Sequence, residues 1–483
     1  MKSTLDLAFL HCAIKHEDRD ANRELLLEKL TIAAAAGADI VIAPEMATSG
    51  YAFDNSSHAE KFAETVGGSF VTGLQQRCAE LDCWACIGMP LAGDMPDIVY
   101  NGAVIVDNTG KVRVVYHKVM AEKSWATGGA CKPSGVVSTP WGRIGVLICS
   151  DTYYGLLPRM RKLQGVDLLL VPANWPSSSL DPQKLWAIHA RNSGMYIAAC
   201  NRTGIDRTLD CTGAVSCCFG PDGTTLSEGR SMESSLFTVS LPLEKGRLKT
   251  PPPAGLYGDL SAISFDGNAG LHDGNDKLTV YACNGPGSRM TTWKAAQPPV
   301  MNRENGGSLL ICFGCPAGSV PPAGCKALFG SPFVFRIAVD GSNAAGMKGV
   351  PDPSDNKTLR VDGLSLNTFS VQGINVAIVP VKDSRYPELL FRLAEEGCDV
   401  VVVDEGDNVN TGDVLYNSVH RMVVVCRTEG KVEIATPPAG HRKWNVSSTD
   451  ENGVCSVTVP WETVRNRGWL RKIDSGQILR DAV

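Results

Sequence analysis

Gly142-Arg-Ile-Gly-Val-Leu-Ile-Cys149-Ser-Asp151, a helical stretch to about Gln164, and Val166-Asp-Leu-Leu-Leu-Val171 are the passage on which the fold turns. Residues 144–148 and 167–171 are short apolar runs, the pattern of strands buried on both faces. A helix between two such strands makes a βαβ unit. The same alternation extends to both sides. Asp20 is expected to cap a helix to about residue 36, with Leu25, Leu26, Leu27, Leu30, Ile32 and Ala33 as its apolar face. Gly37 ends it, and a buried strand follows over 39–43. A helix over 70–81, a strand over 84–89 and a hairpin over 99–116 around Thr109-Gly110 come next. After the central passage, a helix over 182–193, a strand over 195–200 and a hairpin around Pro221-Asp-Gly223 complete an α/β layered pattern.

Residues 247–275, with Pro251-Pro-Pro253 and many Gly, Asp and Asn, read as a linker or long loop. Beyond them the order of elements begins again. Lys277-Leu-Thr-Val-Tyr-Ala-Cys283 parallels the first strand, and Ser308-Leu-Leu-Ile-Cys312 parallels residues 39–43. Gly373-Ile-Asn-Val-Ala-Ile-Val379, a helix to Gly397, and Cys398-Asp-Val-Val-Val-Val403 parallel the central passage. Self-similarity at this period predicts a duplicated domain, with residues 1–246 as one copy and 276–483 as the other.

The length of 483 residues suits two domains. With 43% hydrophobic and 20% charged residues and a net charge of −5, the composition is globular and offers no footprint for nucleic acid or an anionic membrane. The first residues lack a secretory pattern and no apolar run reaches membrane-spanning length, so a cytoplasmic location is expected. The 17 cysteines lie mostly in apolar runs and read as small buried hydrophobes. Cys83-x-x-Cys86 and Cys312-x-x-Cys315 with Cys325 lack the further ligands of a structural zinc site, so no metal is expected.

Three strand ends carry reactive side chains. Pro44-Glu45 follows a buried strand, Tyr116-His-Lys118 closes the hairpin, and Cys149 ends the strand of the central passage. Strand ends of separate βα units converge on one rim. Each residue alone is more often packing or solvated charge; together they suit one chemistry. A buried glutamate can take a thiol proton. A lysine and the backbone N–H of Ser150 can stabilise the charge formed when the thiol attacks an amide or nitrile carbon.

The first half resembles the nitrilase superfamily of carbon–nitrogen hydrolases. Pro44-Glu45-Met-Ala-Thr-Ser-Gly50-Tyr51 resembles its P-E-L-x-x-T-G-Y segment, Tyr116-His-Lys118 its Y-x-K segment, and Glu122-Lys-Ser-Trp125 its E-K-R-Y-F segment. Gly142 to Asp151 resembles the nucleophile segment, and Val166 to Pro176 the strand after it. The resemblance covers about residues 4–245. It implies a four-layer αββα sandwich, with Glu45 as general base, Lys118 as oxyanion stabiliser, Cys149 as nucleophile and Glu122 as supporting glutamate. Tyr51, Tyr153, Asn174 and Trp175 are expected to contact substrate beside the Ser150 amide. Arg202 is read as structural, with a grip on a substrate carboxylate as the other reading.

The sequence departs from the family where Lys118 is followed by Val119-Met120 without the usual histidine. It departs again at Tyr153-Tyr-Gly-Leu156 and at His189-Ala-Arg-Asn-Ser193. These departures bear on the pocket wall more than on the reaction. In the second half, the positions matching Glu45 and Cys149 fall at about Gly314 and at Val379, so that copy is expected to be inactive. Members of the family commonly stack two sandwiches, and the second copy is expected to supply that partner within one chain, with further homo-oligomers open.

The expected reaction is hydrolysis of a small linear amide by water through a thioester, with ammonia released and no cofactor. A nitrile or N-carbamoyl substrate is the nearest rival, and transfer to hydroxylamine is open to the same mechanism. A non-catalytic scaffold is the rival of another class, and it requires the three side chains to lie out of mutual reach.

Overall fold

The computed structural model describes residues 4–242 apart from 131–134, 177–180 and 208. Beyond these it describes 277–284, 306–313, 335–339, 357–361, 364–371, 374–380, 384, 386–404, 422–428, 431–437, 445–448 and 454–465. The chain divides into two compact units, one of Met1–Pro251 with Arg471–Val483 and the other of Pro252–Leu470. The expected linker 247–275 lies outside the described residues, as do Gly314, Cys315 and Cys325.

The first unit is built on two six-stranded sheets. One uses β1 (Leu5–His11), β2 (Ile40–Ile42), β3 (Trp84–Ala92), β4 (Val99–Val106), β5 (Val112–His117) and, returning late, β14 (Ser235–Leu241), in the order β14-β1-β2-β3-β4-β5. The other uses β6 (Val136–Thr139), β7 (Gly142–Val146), β8 (Leu168–Pro172), β9 (Tyr196–Cys200), β12 (Ser216–Phe219) and β13 (Thr225–Gly229), in the order β13-β12-β9-β8-β7-β6. Between β9 and β12, β10 (Ile205–Asp206) and β11 (Leu209–Asp210) pair with each other. The strands β1, β2 and β3 run parallel, as do β7, β8 and β9, and the flanking hairpins are antiparallel.

The helices are α1 (Arg19–Ala35), α2 (Ser56–Glu60), α3 (Ser69–Leu81), α4 (Leu156–Leu163) and α5 (Pro182–Ser193). The first sheet carries α1 and α3 and the second carries α4 and α5, while β3 meets β8 and β1 meets β9 across the interior. The first unit is therefore an αββα sandwich. Leu26, Leu30, Phe70 and Leu74 bury against Leu10, Val41, Ile87 and Val104 to form the helix–sheet core. Two local expectations are corrected. Asp18, not Asp20, caps α1 by accepting from the Ala21 N–H. Ile32 is 45% exposed, because the buried stripe follows the helical repeat through Asn22, Leu26, Leu30 and Ala33.

In the second unit, β15 (Lys277–Asn284), β16 (Gly306–Phe313), β17 (Phe335–Val339) and β25 (Val454–Pro460) form a sheet in the order β17-β16-β15-β25. A seven-stranded sheet runs in chain order through β18 (Lys357–Val361), β19 (Leu364–Val371), β20 (Ile374–Pro380), β21 (Val400–Asp404), β22 (Val423–Thr428), β23 (Lys431–Thr436) and β24 (Asn445–Ser448). The helix α6 (Pro387–Glu395) links β20 to β21, and α7 (Trp461–Arg465) follows β25. Each strand sense matches the first unit. β15 is parallel to β16 and antiparallel to the late β25, while β20, β21 and β22 are parallel with antiparallel hairpins beyond.

One device recurs in both units. A helix ends, a glycine takes a positive φ (Gly37, Gly165, Gly397), and two residues later an aspartate starts a buried strand. Asp39, Asp167 and Asp399 each donate their N–H to the neighbouring strand and accept that same residue's N–H on Oδ2, from Asp6, Arg143 and Asn375 at 2.8–2.9 Å. Counted along the sequence from Arg143 and Asn375, the position of Cys149 corresponds to Val381, two residues beyond Val379, which lies outside the described residues. Among the described residues, no helix is long and apolar enough to cross a membrane.

Candidate active site

β2 continues through Ala43, whose N–H donates to the Cys86 carbonyl, and delivers Pro44-Glu45 to the strand ends. The Ala47 N–H then donates to the Gly88 carbonyl, so β3 braces the turn on both sides of Glu45. Gly88 allows that approach, since a Cβ there would lie 2.4 Å from the Pro44 carbonyl oxygen. Lys118 follows β5, with its N–H on the Asn101 carbonyl and its own carbonyl accepting from Gly129. Cys149 opens a 3-10 turn (Cys149–Tyr153) at a φ of 43°. Left-handed conformations of non-glycine residues cost energy and collect at functional sites. Asp151 holds this turn: its carboxylate accepts from Ile148 N–H, Met120 N–H and the Tyr116 hydroxyl.

Glu45, Lys118 and Cys149 meet in the interior. Lys118 Nζ lies 2.6 Å from Glu45 Oε1 and 2.5 Å from Glu122 Oε1. Asn174 N–H donates to Glu45 Oε2 at 2.9 Å. The Cys149 thiol is buried within electrostatic reach of Glu45, Lys118 and the Asn174 N–H. The distance between side chains that the scaffold reading needs is not found. Glu122 reaches the ammonium and also accepts from the Tyr51 hydroxyl at 2.5 Å.

The charges divide unequally. Burial pushes the Glu45 carboxyl above the usual carboxylate range, opposed only in part by Lys118 and reinforced by Glu122. Burial also pushes Glu122 up, but Lys118, Tyr51 and Asn101 outweigh it and hold the carboxyl low. Burial pulls the Lys118 ammonium down, yet Glu122 and Glu45 overcompensate, so it stays charged. The Cys149 thiol is pushed well up, first by burial and then by the Glu45 charge. At rest the site thus holds a neutral thiol beside a carboxylate of raised basicity.

The substrate-side residues are placed as follows. Tyr51 stands edge-on to Trp125 as well as bonding Glu122. Tyr153 stacks on Trp175 at 5.2 Å, and both are buried. The Ser150 hydroxyl donates to the Met120 carbonyl. The Asn174 side-chain amide is buried with neither end bonded among the described residues. Arg202 is engaged by Asp206 at 2.9 Å and by the Ile14 and Thr203 carbonyls, so it serves structure. Two residues escaped the sequence reading: Asn101, which bridges both glutamates, and Asp151. The signal for Asn101 was a lone amide inside the apolar strand Val99-Tyr-Asn-Gly-Ala-Val-Ile-Val106. Cys12, Cys78, Cys83, Cys86, Cys149, Cys200, Cys211, Cys217 and Cys218 are buried free thiols, and the described residues hold no metal-binding cluster of three or more His, Cys, Asp or Glu.

The carbon–nitrogen hydrolase family profile matches residues 6–248, half of the chain. The chain belongs to the carbon–nitrogen hydrolase family. This hydrolase is 27% identical to a probable nitrilase of Schizosaccharomyces pombe over 43% of its own length and 77% of the relative's. It is 29% identical to an omega-amidase of Escherichia coli over 40% of this chain and 69% of that one. Among solved structures, an amidase from Nesterenkonia sp. aligns with 21% identity and a TM-score of 0.45, covering 50% of the hydrolase and 92% of that chain.

Proposed function

We propose that the chain hydrolyses a small linear primary amide through a thioester on Cys149. The observation that carries this is the buried Glu45 paired at 2.6 Å with the Lys118 ammonium, with the Cys149 thiol buried within electrostatic reach of both. Glu45 Oε1 already accepts from Lys118 and Asn101, so the thiol proton passes to Oε2. Sγ attacks the carbonyl carbon, and Lys118 with the Ser150 N–H stabilises the oxyanion. Glu45 returns the proton to the nitrogen, the C–N bond breaks, and ammonia leaves. Water then attacks the thioester with Glu45 as base, releasing the acid and restoring the thiol. Glu122 stays anionic and fixes Lys118, while Tyr51, Tyr153, Asn174 and Trp175 line the acyl side.

Intact-mass spectrometry with a panel of small aliphatic and ω-amino amides, alongside ammonia release, tests this. An acyl adduct and ammonia that both vanish in Cys149→Ala are expected. Ammonia that survives in Cys149→Ala would remove Cys149 from the reaction. A nitrile substrate is the second reading, favoured by the relative named a probable nitrilase. In that case nitriles turn over and amides do not.

The second unit is best read as a divergent copy without chemistry, supported by the repeated strand senses and by Val381 at the sequence position of Cys149. It would stand in for the second sandwich of a stacked pair. A cytoplasmic location suits the reduced cysteines that the chemistry needs.

A further inference from the structure

We propose that Asn101 is a positioning residue that gives the two buried glutamates their separate roles, clasping Glu45 through Oε1 and Glu122 through Oε2. This rests on the reading of Glu45 as base. Asn101 lies fully buried in β4, and its carbonyl takes the Lys118 N–H at 2.8 Å, so amide and ammonium share one hairpin. Its Nδ2 lies 2.7 Å from Glu45 Oε1 and 3.0 Å from Glu122 Oε2, which uses both amide hydrogens. The orientation is fixed, because a flipped amide would set its oxygen against two carboxylates.

Lys118 closes the ring from the other side, bonding Oε1 of both glutamates. The clasp matters because two carboxylates share one ammonium and repel each other. Asn101 occupies Glu45 Oε1 and leaves Oε2 to exchange a proton with Cys149. On Glu122 it completes a carboxylate that Lys118 and Tyr51 already hold on Oε1. Its own Oδ1 is buried with no partner among the described residues. An unpaired buried carbonyl is costly, and a residue kept for packing alone would gain by losing it. The charged or titratable groups around Glu45 are Lys118, Glu122, Tyr51, Cys149 and, more weakly, Cys211. Asp151 acts at one remove through Lys118.

The experiment compares Asn101→Ala, Asn101→Ser and wild type by thermal melting, by the pH profile of kcat/KM on a primary amide, and by the pH dependence of Cys149 alkylation with iodoacetamide. An N–H donor favours the charged carboxylate, so its loss makes Glu45 harder to ionise. The acid limb of both profiles therefore moves to higher pH, by about one pH unit in Asn101→Ala and less in Asn101→Ser, which keeps one donor. At neutral pH, kcat/KM falls roughly tenfold or more while the fold persists. If Asn101→Ala does not fold, the smaller displacement in Asn101→Ser decides. Limbs that stay at the wild-type pH, with activity lost only in step with melting, would overturn the proposal. Wild-type profiles with no limb from Glu45, tested with Glu45→Gln, would take down the base reading beneath it.

Discussion

At Cys149 a desolvated thiol faces one ammonium and two carboxylates, and its reactivity depends on which carboxylate can accept a proton. Glu122 is held low by Lys118, Tyr51 and Asn101, whereas Glu45 is raised by burial, which suits its proposed role as base. Replacing Glu45 by Gln keeps the size and the oxygen facing Lys118 and Asn101 but sets an NH2 against the Asn174 N–H and removes the proton acceptor. Ammonia release by Glu45→Gln should fall about 10²–10⁴-fold, the usual worth of a positioned acid–base group. Because the folded carboxyl lies above its ordinary value, activity should rise with pH along a limb displaced upward from the usual carboxylate range. A kcat/KM profile flat down to pH 4 would contradict that. Glu45, Lys118 and Cys149 were legible as residues because each sits at the end of an apolar strand. Asn101 was not, since an amide in a strand announces nothing until its two acceptors arrive from elsewhere.

Elements set the precision with which those groups meet. β3 crosses the Glu45 turn so closely that a Cβ on Gly88 would lie 2.4 Å from the Pro44 oxygen and 2.7 Å from Glu45 Cα, both backbone. Gly88→Ala should cost about 1–3 kcal/mol in stability. It should cost kcat about 100-fold, because small misplacements near the reacting atoms are amplified. Wild-type kcat with a lowered melting temperature would mean that β3 does not position Glu45. On the opposite sheet, α5 buries His189 against the Thr152 carbonyl at 2.8 Å, beside the Cys149 turn. Burial, opposed by that bond, lowers its pKa to about 4. The unfolded chain binds the proton more readily between about pH 6.5 and 4, so His189 costs no stability above that window. Roughly 3 kcal/mol is lost as pH falls through it. Denaturation midpoints at pH 7.5 and 5 should differ less in His189→Gln than in wild type. Equal differences would place the acid sensitivity elsewhere.

Across the molecule, the described strands of the second unit repeat strand senses of the first, while the proposed nucleophile lies in the first. One acyl group per 51.5 kDa chain is therefore expected by intact mass, mapping to the peptide that contains Cys149. Label on any cysteine of the second unit would refute its reading as inert. The sequence by itself determined the alternation of helices and strands in the first unit and offered Glu45, Lys118 and Cys149 as candidates at strand ends. These are properties of neighbouring residues, since periodicity, turn chemistry and caps act over a few positions. Only the tertiary structure decided that Glu122 reaches Lys118, that Asp151 ties Met120 to Ile148, and that Asn101 bridges two carboxylates 56 and 21 residues away. The physical reason is that a hydrogen bond between distant strands depends on register, sheet twist and the closeness allowed at Gly88, none of which a local pattern encodes.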